Sequence, residues 1–192
     1  MISPTNVTAA ILAGGKSSRM GRDKALLVHN GKPFIRHIAD ALSSVVPHTI
    51  VISDRAKTYD FLNIPVYADI FTNYGPLAGI HSALSHATTS HVVIASCDTP
   101  FIVANVVVKL LADALPGEIT IAHDGLNTHP LVGIYPTLIL QKLRENLTAG
   151  ERRVSTFLET CHVRVAVIPL PEFKVNLRNI NTPDDYAAFT QN

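Results

Sequence analysis

The chain has 192 residues, of which 47% are hydrophobic and 16% are charged, and its formal net charge at pH 7 is +1. This length and composition predict a single domain, spanning residues 1–192, that can bury a sizeable core. A net charge so close to zero excludes a global basic field for nucleic acid or a membrane surface, so any phosphate recognition must be local.

Strands and helices are predicted to alternate along the chain. Short apolar runs predict strands, and apolar residues spaced three and four apart predict helices. The predicted strands are Thr8–Leu12, Thr49–Ser53, Pro65–Ala68, His91–Cys97, Glu118–His123, Leu131–Tyr135 and Val163–Leu170. The predicted helices are Phe34–Val45, Ala56–Leu62, Leu77–Ala87, Val103–Leu115, Pro136–Ala149, Val154–Thr160 and Pro183–Thr190. This alternation predicts an α/β fold, a three-layer α/β/α Rossmann-like sandwich with a mostly parallel sheet.

The segment Ala10–Ala25, AILAGGKSSRMGRDKA, is predicted to bind phosphate. Its apolar run ends in Gly14 and Gly15, which let the backbone turn tightly and bring its N–H groups close to a ligand. Three cations follow the glycines: Lys16, Arg19 and Lys24. Charge-assisted hydrogen bonds from spaced cations suit a polyphosphate. The segment therefore predicts a nucleoside triphosphate at the end of the first strand.

The spacing of the glycines excludes two better-known phosphate loops. A Walker A loop needs a glycine where Ala10 stands, five positions before Gly15 in Gly-Lys-Ser. A dinucleotide-binding fingerprint needs G-x-G-x-x-G, which the adjacent Gly14 and Gly15 do not supply. The segment instead resembles the signature of nucleotidyltransferases, enzymes that join a nucleoside monophosphate to a phosphorylated acceptor.

Carboxylates follow the second, third and fourth predicted strands, where ligands of such sheets bind. Asp98 is placed to coordinate Mg²⁺, which is typically held by one or two carboxylates and substrate phosphates, although it could instead cap the following helix. Asp69 could position the nucleotide or cap a local turn. Asp54 is expected to form only a surface ion pair with the adjacent Arg55.

The segment Asn176–Pro183, NLRNINTP, precedes the last predicted helix. Asn179 and Asn181 alternate on an extended stretch, so their side chains are expected to share one face. An amide oxygen there can join a carboxylate around magnesium. The alternative is turn chemistry, with Thr182 as the helix N-cap, and both can hold at once.

Five parts of the chain together resemble the molybdenum cofactor guanylyltransferases (MobA). The matching segments, in the order of the family, are LAGGKSSRMGRDKA at Leu12–Ala25, GPLAG at Gly75–Gly79, CDTP at Cys97–Pro100, the pair HDGLNTHP and AGERRV at His123–Pro130 and Ala149–Val154, and NINTP at Asn179–Pro183. The first segment is shared by nucleotidyltransferases generally, whereas the set is specific. The resemblance extends over nearly the whole chain and implies a nucleotide-diphospho-sugar transferase-like fold.

The resemblance implies a reaction and its substrates. The terminal phosphate of molybdenum-bound molybdopterin attacks the α-phosphorus of GTP, pyrophosphate leaves, and a guanine dinucleotide form of the cofactor results. Mg²⁺ is the implied cofactor. The implied partners beyond the two substrates are transient contacts with other molybdenum cofactor biosynthesis proteins and with apo-molybdoenzymes.

The resemblance also implies roles for individual residues. The residues implied to bind GTP are Leu12, Ala13, Gly14, Gly15, Lys24, Asp69, Gly75, Gly79 and Asp98. The residues implied to be catalytic are Arg19, Lys24 and Asp98, of which Asp98 also binds the metal. The residues implied to line the acceptor side are His129, Arg152, Arg153, Asn179 and Asn181. The alternative for the two arginines is a solvated helix terminus.

The sequence departs from the family pattern at two places. The second strand ends in Ser53 and Asp54, where relatives often have an asparagine that reads the nucleotide, so that contact is unassigned. Ser17 stands where many nucleotidyltransferases have glycine, which would tighten the phosphate loop.

Two other functions compete with the guanylyltransferase. One is a related nucleotidyltransferase that uses CTP or a sugar or alcohol phosphate acceptor. The other is a GTP-binding carrier that delivers molybdopterin without turnover, although the presence of Lys24 and Asp98 argues against it.

The sequence predicts a cytoplasmic protein. Its apolar stretches are too short to span a bilayer, and no secretory signal is evident. Cys97 and Cys161 lie far apart and lack the spacing of a zinc site, so we expect reduced thiols.

Overall fold

The structure is a computed structural model that describes residues 2–14, 23–168 and 177–190. The described part of the chain contains nine strands and six α-helices. The strands are β1 (Val7–Leu12), β2 (Val28–His29), β3 (Lys32–Pro33), β4 (His48–Ile52), β5 (Val66–Tyr67), β6 (His91–Ser96), β7 (Ile119–His123), β8 (Thr128–Pro136) and β9 (Val163–Val167). The helices are α1 (Phe34–Ser43), α2 (Pro76–His86), α3 (Ala104–Asp113), α4 (Leu140–Thr148), α5 (Val154–Glu159) and α6 (Pro183–Thr190). Short 3₁₀ turns cover Pro4–Asn6, Lys24–Leu26, Ala56–Leu62 and Thr137–Ile139.

Seven of these strands form one mostly parallel sheet in the order β5-β4-β1-β6-β8-β7-β9. β1 lies between β4 and β6 and is parallel to both, with Leu12 opposite Ile52 on one side and Ser96 on the other. β8 is antiparallel to both of its neighbours, whereas β7 and β9 are parallel. The carboxyl ends of β1, β4, β5 and β6 therefore lie at one edge of the sheet.

Helices cover both faces of the sheet, which confirms the predicted three layers. All six residues of β1 are buried, and alternate side chains join different clusters. Ile11 packs in the cluster that includes Ile38 of α1 and Leu110 of α3. Ala10 packs in the cluster that includes Leu77 of α2 and Leu143 of α4. A strand buried on both sides needs an unbroken apolar run, as β1 has.

The predicted elements are all present, with ends that differ by a few residues. The last predicted strand ends at Val167 in the structure, and residues 169 and 170 lie outside the described ranges. The predicted helix Pro136–Ala149 starts later because a 3₁₀ turn at Thr137–Ile139 precedes α4.

The β2–β3 hairpin was not among the predicted elements. Asn30 and Gly31 form its turn with φ values of 47° and 75°, and an Asn-Gly pair is a strong hairpin signal. The signal was therefore present in the sequence. Its strands have only two residues each, too few for an alternating pattern to be visible.

No helix in the described part of the chain is both long enough and apolar enough to cross a membrane.

Candidate active site

A cleft of about 790 Å³ opens at the edge of the sheet where β1, β4 and β5 end. Its floor includes Leu12, Ala13 and Gly14 at the end of β1. Its walls include the predicted site residues Asp69, Gly75, Gly79 and Arg152, together with Asp54, Arg55, Asn73 and Leu131. This is the crevice that the strand order predicts for a ligand.

Four predicted positions leave the sheet at the same edge. Gly14, Asp54, Asp69 and Asp98 each lie two residues beyond the end of β1, β4, β5 and β6 respectively. The Cys97 N–H donates to the Leu12 carbonyl oxygen at 3.1 Å, so the chain that carries Asp98 stays paired with β1 beyond the strands. Gly14 and Asp98 therefore lie at the same edge of the sheet.

Asp69 faces the glycine turn. A Cβ built on Gly14 would lie 3.4 Å from Asp69 Oδ2, so a side chain at position 14 would crowd the carboxylate. Asp69 Oδ1 is buried and has no hydrogen-bond partner among the described residues. Burial, and then the nearby Asp54 carboxylate, raise the pKa of Asp69. A buried acceptor without a donor is suited to a ligand N–H or O–H group.

The structure corrects the expectation for Asp54. Its Oδ1 accepts a hydrogen bond from the Asp69 backbone N–H at 3.1 Å, so Asp54 supports the loop that carries Asp69. The expected ion pair with Arg55 is not formed among the described contacts of Asp54. Arg55 instead donates to Asp23 Oδ2 at 2.9 Å. The adjacent sequence position suggested the wrong partner because Asp54 is engaged by the Asp69 backbone and Arg55 by Asp23.

Asp23 anchors the turn that presents Lys24. Its Oδ1 accepts the Ala25 N–H at 3.1 Å, and its Oδ2 accepts the Tyr59 hydroxyl at 2.8 Å. The Tyr59 hydroxyl also lies 3.4 Å from the Ala13 carbonyl oxygen, next to the glycine turn. Burial and the hydrogen bond to Asp23 raise the pKa of Tyr59, so the phenol stays protonated. Tyr59 escaped the sequence analysis because nothing near it in the chain carries a motif.

Lys24 meets the segment that precedes the last helix. Its Nζ donates to Asn181 Oδ1 at 2.8 Å, although 157 positions separate the two residues. The Ile180 N–H donates to the Asp98 carbonyl oxygen at 2.7 Å. The structure thus brings Lys24, Asp98 and Asn181 together, while the neighbouring Asn179 is exposed.

The predicted cap of the last helix is confirmed. The Thr182 hydroxyl accepts the Asp185 N–H at 3.1 Å, and Asp185 Oδ2 accepts the N–H groups of Asn181 and Thr182. This reciprocal arrangement at a helix start satisfies donors that the helix leaves free. The backbone of Asn181 is therefore held by the cap while its side chain contacts Lys24.

Gly75 and Gly79 belong to the start of α2, on the wall of the cleft. Gly75 precedes the helix with φ 70°, a conformation that side chains rarely adopt. A Cβ on Gly79 would lie 3.4 Å from the Leu12 side chain, so the helix can approach the end of β1 closely. The predicted GPLAG segment therefore lies beside the floor of the cleft.

Arg152 lies in the cleft, and its guanidinium lies 4.6 Å from the centre of the Tyr74 ring. Glu151 Oε1 accepts the backbone N–H groups of Arg152 and Arg153 at 2.7 Å each, which shapes the turn before α5. Arg153 is exposed and is not among the described residues that line the cleft.

His129 lies at the start of β8, where its Nε2 is 3.0 Å from Asp124 Oδ2. Both side chains are largely buried, with 12% of each exposed. His129 lies three positions before Val132, which pairs with Ala95 of β6. Asp98 lies three residues beyond Ala95 in the same direction, so His129 and Asp98 leave neighbouring strands at one edge.

Two predicted site residues, Gly15 and Arg19, lie outside the described residues. Among the residues that are described, no group of three His, Cys, Asp or Glu side chains could hold a metal ion. The half-buried Asp98 supplies one carboxylate, and its backbone is hydrogen-bonded to the segment that carries Asn181, the partner of Lys24. That donor set fits Mg²⁺, which is commonly bound by one carboxylate together with substrate phosphates.

The mostly parallel sheet, Gly14 after β1 and the carboxylate after β6 define a nucleotidyltransferase of the Rossmann-like type. The profile of the MobA-like NTP transferase domain matches residues 9–165. Over 191 residues the chain is 34% identical to the molybdenum cofactor guanylyltransferase of Vibrio cholerae, covering 98% of this chain and 93% of that protein. It is 35% identical to the enzyme of the same name from Vibrio vulnificus, covering 100% of this chain and 98% of that one.

A solved structure agrees with these relatives. The molybdopterin-guanine dinucleotide biosynthesis protein A of Archaeoglobus fulgidus superposes with a TM-score of 0.78 at 24% identity, covering 96% of this chain and 97% of that one. At this identity the likeness shows the fold. With the profile and the two Vibrio relatives, the chain belongs to the MobA-like family of nucleotidyltransferases, among the molybdenum cofactor guanylyltransferases.

Proposed function

We propose that this enzyme transfers GMP from GTP to the terminal phosphate of Mo-molybdopterin, which forms molybdopterin guanine dinucleotide cofactor and releases pyrophosphate. The names of its relatives support the substrates. The observation that carries the proposal is the hydrogen bond of 2.8 Å between Lys24 and Asn181 beside Asp98. This hydrogen bond joins Lys24, which is expected to bind GTP, to Asn181, which is expected to face the acceptor.

The nucleotide is proposed to lie along the end of β1. Backbone groups of Leu12, Ala13, Gly14 and Gly15 would contact the nucleotide and its phosphates. Gly75 and Gly79 line the cleft without side chains, which leaves room for a flat base near Gly75. The unpartnered Asp69 Oδ1 would accept a hydrogen bond from the nucleoside.

The acceptor is proposed to lie across the ends of β6 and β8. Asn181 and Asn179 would contact it next to Lys24, and His129 and Arg152 would contact it on the other side. Arg153 was predicted with Arg152, but only Arg152 is among the described residues that line the cleft, which favours a weaker, peripheral contact for Arg153. A cation stacked on an aromatic ring, as Arg152 is on Tyr74, is held ready for an anionic or aromatic ligand.

Asp98 is the residue proposed to hold Mg²⁺. When bound, the ion would neutralise charge on the phosphates and polarise the α-phosphorus. Lys24 and Arg19 would add positive charge where the leaving pyrophosphate develops negative charge. The hydrogen bond from Lys24 to Asn181 orients the lysine in the site.

No general base is required for this transfer. The attacking group is a phosphate that is already an anion, so the main obstacle is repulsion between two polyanions. The site would lower that barrier by charge compensation and by holding the two substrates in line.

The reaction is proposed to be carried out by one domain over residues 1–192 in the cytoplasm. The free thiols of Cys97 and Cys161 agree with a reducing compartment. Other molybdenum cofactor biosynthesis proteins and apo-molybdoenzymes are the proposed transient partners that supply the substrate and receive the product.

The test is incubation of the protein with MgCl₂, Mo-molybdopterin and either GTP or CTP, with the product identified by mass and pyrophosphate measured. We expect a GMP adduct, and removal of Lys24 by Lys24→Ala should lower kcat by about 100-fold. The matched control is Lys32→Ala, which removes an exposed lysine of the β3 hairpin and should leave the rate unchanged.

Three outcomes would contradict the proposal. A CMP adduct or transfer to a sugar phosphate would indicate a related nucleotidyltransferase. Binding of GTP and molybdopterin without pyrophosphate release would indicate a carrier. A Lys24→Ala enzyme with a normal rate would remove the assigned role of the lysine.

A further inference from the structure

Asp124 lies in the turn between β7 and β8, and its carboxylate contacts both the turn backbone and the His129 ring. Its Oδ1 accepts the N–H groups of Leu126 at 2.8 Å and Asn127 at 2.7 Å. Its Oδ2 contacts His129 Nε2 at 3.0 Å. The Asp124 side chain is only 12% exposed. Oδ1 of Asp124 thus stabilises the turn, and Oδ2 contacts the His129 ring.

The charge of Asp124 determines which nitrogen of His129 carries the proton. Burial alone would raise the pKa of Asp124, but the N–H groups of Asn127 and Leu126 and the His129 ring outweigh it and lower that pKa to about 2. An ionised carboxylate can only accept hydrogen bonds. The proton of a neutral His129 ring therefore lies on Nε2, and Nδ1 presents a lone pair.

The Nδ1 atom has no partner among the described residues. It is also not one of the buried, unsatisfied atoms of the described residues, so it reaches solvent. His129 lies at the start of β8, at the edge of the sheet where the chain continues from β6 to Asp98. Leu131, two positions after His129, lines the cleft. A lone pair at this place is free to accept a hydrogen bond from a ligand that displaces water from the edge of the sheet.

The acceptor substrate has a phosphate and a pterin ring, and these two groups differ in whether they can donate a hydrogen bond to Nδ1. A phosphate dianion has only acceptor oxygens, which would repel a lone pair. A pterin ring carries N–H and amino groups, which are donors. The lone pair on Nδ1 therefore suits the pterin end of the acceptor and not its reacting phosphate.

We propose that Asp124 is a positioning residue that keeps His129 in the Nε2–H form, so that His129 Nδ1 accepts a hydrogen bond from an N–H group of the pterin. This inference rests on the proposed function, because the pterin belongs to the acceptor substrate, Mo-molybdopterin, that the proposed function assigns. It assigns to the Asp124–His129 pair the recognition of the ring, separate from the phosphate chemistry at Lys24 and Asp98.

The test is Asp124→Asn. The amide oxygen can still accept the two N–H groups of the turn, but its NH₂ group now donates to Nε2 and moves the ring proton to Nδ1. The Nδ1–H group of His129 then faces an N–H group of the pterin, and two donors cannot form a hydrogen bond. The KM for Mo-molybdopterin should therefore rise by about tenfold or more, while the KM for GTP stays unchanged. The ¹⁵N shifts of the His129 ring report the tautomer directly.

A second pair of variants keeps the test decisive if Asp124→Asn does not fold. His129→Asn places an amide oxygen close to the position of Nδ1 and should retain most of the affinity for the acceptor. His129→Phe keeps the ring shape without the lone pair and should raise the KM as Asp124→Asn does.

The inference is overturned if the tautomer switches in Asp124→Asn and the KM for the acceptor does not change. It is also overturned if His129→Phe binds the acceptor as well as His129→Asn does. Failure of the proposed function looks different, because the unsubstituted enzyme would then form no GMP adduct of molybdopterin at all.

Discussion

At the residue scale, adjacent residues of the same type differ in what they can contact. Arg152 and Arg153 share the backbone turn made by Glu151, yet only Arg152 stacks on Tyr74 and lines the cleft. The stacked guanidinium loses little freedom on binding, because the ring already restricts it. The pair therefore offers a matched comparison within one turn.

Arg152→Ala is expected to raise the KM for Mo-molybdopterin by about fivefold, since it removes an exposed cation stacked on the Tyr74 ring, an arrangement worth up to about 1 kcal/mol. Steady-state kinetics with the acceptor varied at saturating GTP measure the effect. Arg153→Ala is the control and should change the KM less than twofold. Equal effects of the two substitutions would contradict the assignment.

At the scale of the elements, the central β8 strand depends on one glycine. Gly133 pairs with Ile121 next to the irregularity between Ile121 and Ala122. A Cβ at Gly133 would lie only 2.5 Å from the Thr120 carbonyl oxygen, which belongs to the neighbouring backbone and cannot move aside freely. The close approach of β7 and β8 behind the Asp124 turn therefore requires glycine.

Gly133→Ala is expected to lower the free energy of unfolding by about 1–3 kcal/mol, because the added methyl group overpacks a buried strand pair. Urea denaturation followed by circular dichroism measures it. Thr128→Ala, at the exposed start of the same strand, should change stability by less than about 0.5 kcal/mol. A Gly133→Ala protein as stable as the original would mean that the two strands can separate without cost.

At the scale of the whole molecule, a histidine buried in the core links stability to acid. His81 of α2 is fully buried, and neither of its ring nitrogens has a hydrogen-bond partner among the described residues. Its ring instead meets the edge of Phe71 at 4.9 Å between centroids. Burial, and then the charge of Arg144, lower the pKa of His81 below the model-peptide value of 6.5.

This shift makes stability depend on pH in a defined direction. The unfolded chain takes up a proton at His81 near pH 6.5, whereas the folded protein resists it until a lower pH. The contribution of His81 is therefore fully present above about pH 6.5 and is lost as the pH falls through the lowered pKa of the folded state.

His81→Leu should consequently weaken the loss of stability between pH 7 and pH 5, with a change at pH 7 below about 1.5 kcal/mol. Thermal unfolding of both proteins across this range measures it. His162→Gln, which changes an exposed histidine, is the control and should leave the slope as it is. If His81→Leu loses stability in acid as steeply as the original chain, the buried histidine is not the cause.

Much of the architecture follows from local pattern. Unbroken apolar runs such as β1 predict buried strands, and the Asp54, Asp69 and Asp98 carboxylates were placed at one edge because parallel strands end together. The sequence motifs also indicated the family before any fold was known. Element ends were less well predicted, and the short β2–β3 hairpin was missed although its Asn-Gly turn is visible.

What the sequence by itself determined is the alternation of elements, the edge at which the polar residues gather and the kind of chemistry they suit. Only the tertiary structure decided the partners: Lys24 with Asn181, Arg55 with Asp23 instead of Asp54, and Arg152 instead of Arg153 in the cleft. The reason is physical. Backbone preference and hydrophobic period act between near neighbours in the chain, whereas these contacts depend on strand order and on how loops far apart in sequence meet at the edge of the sheet.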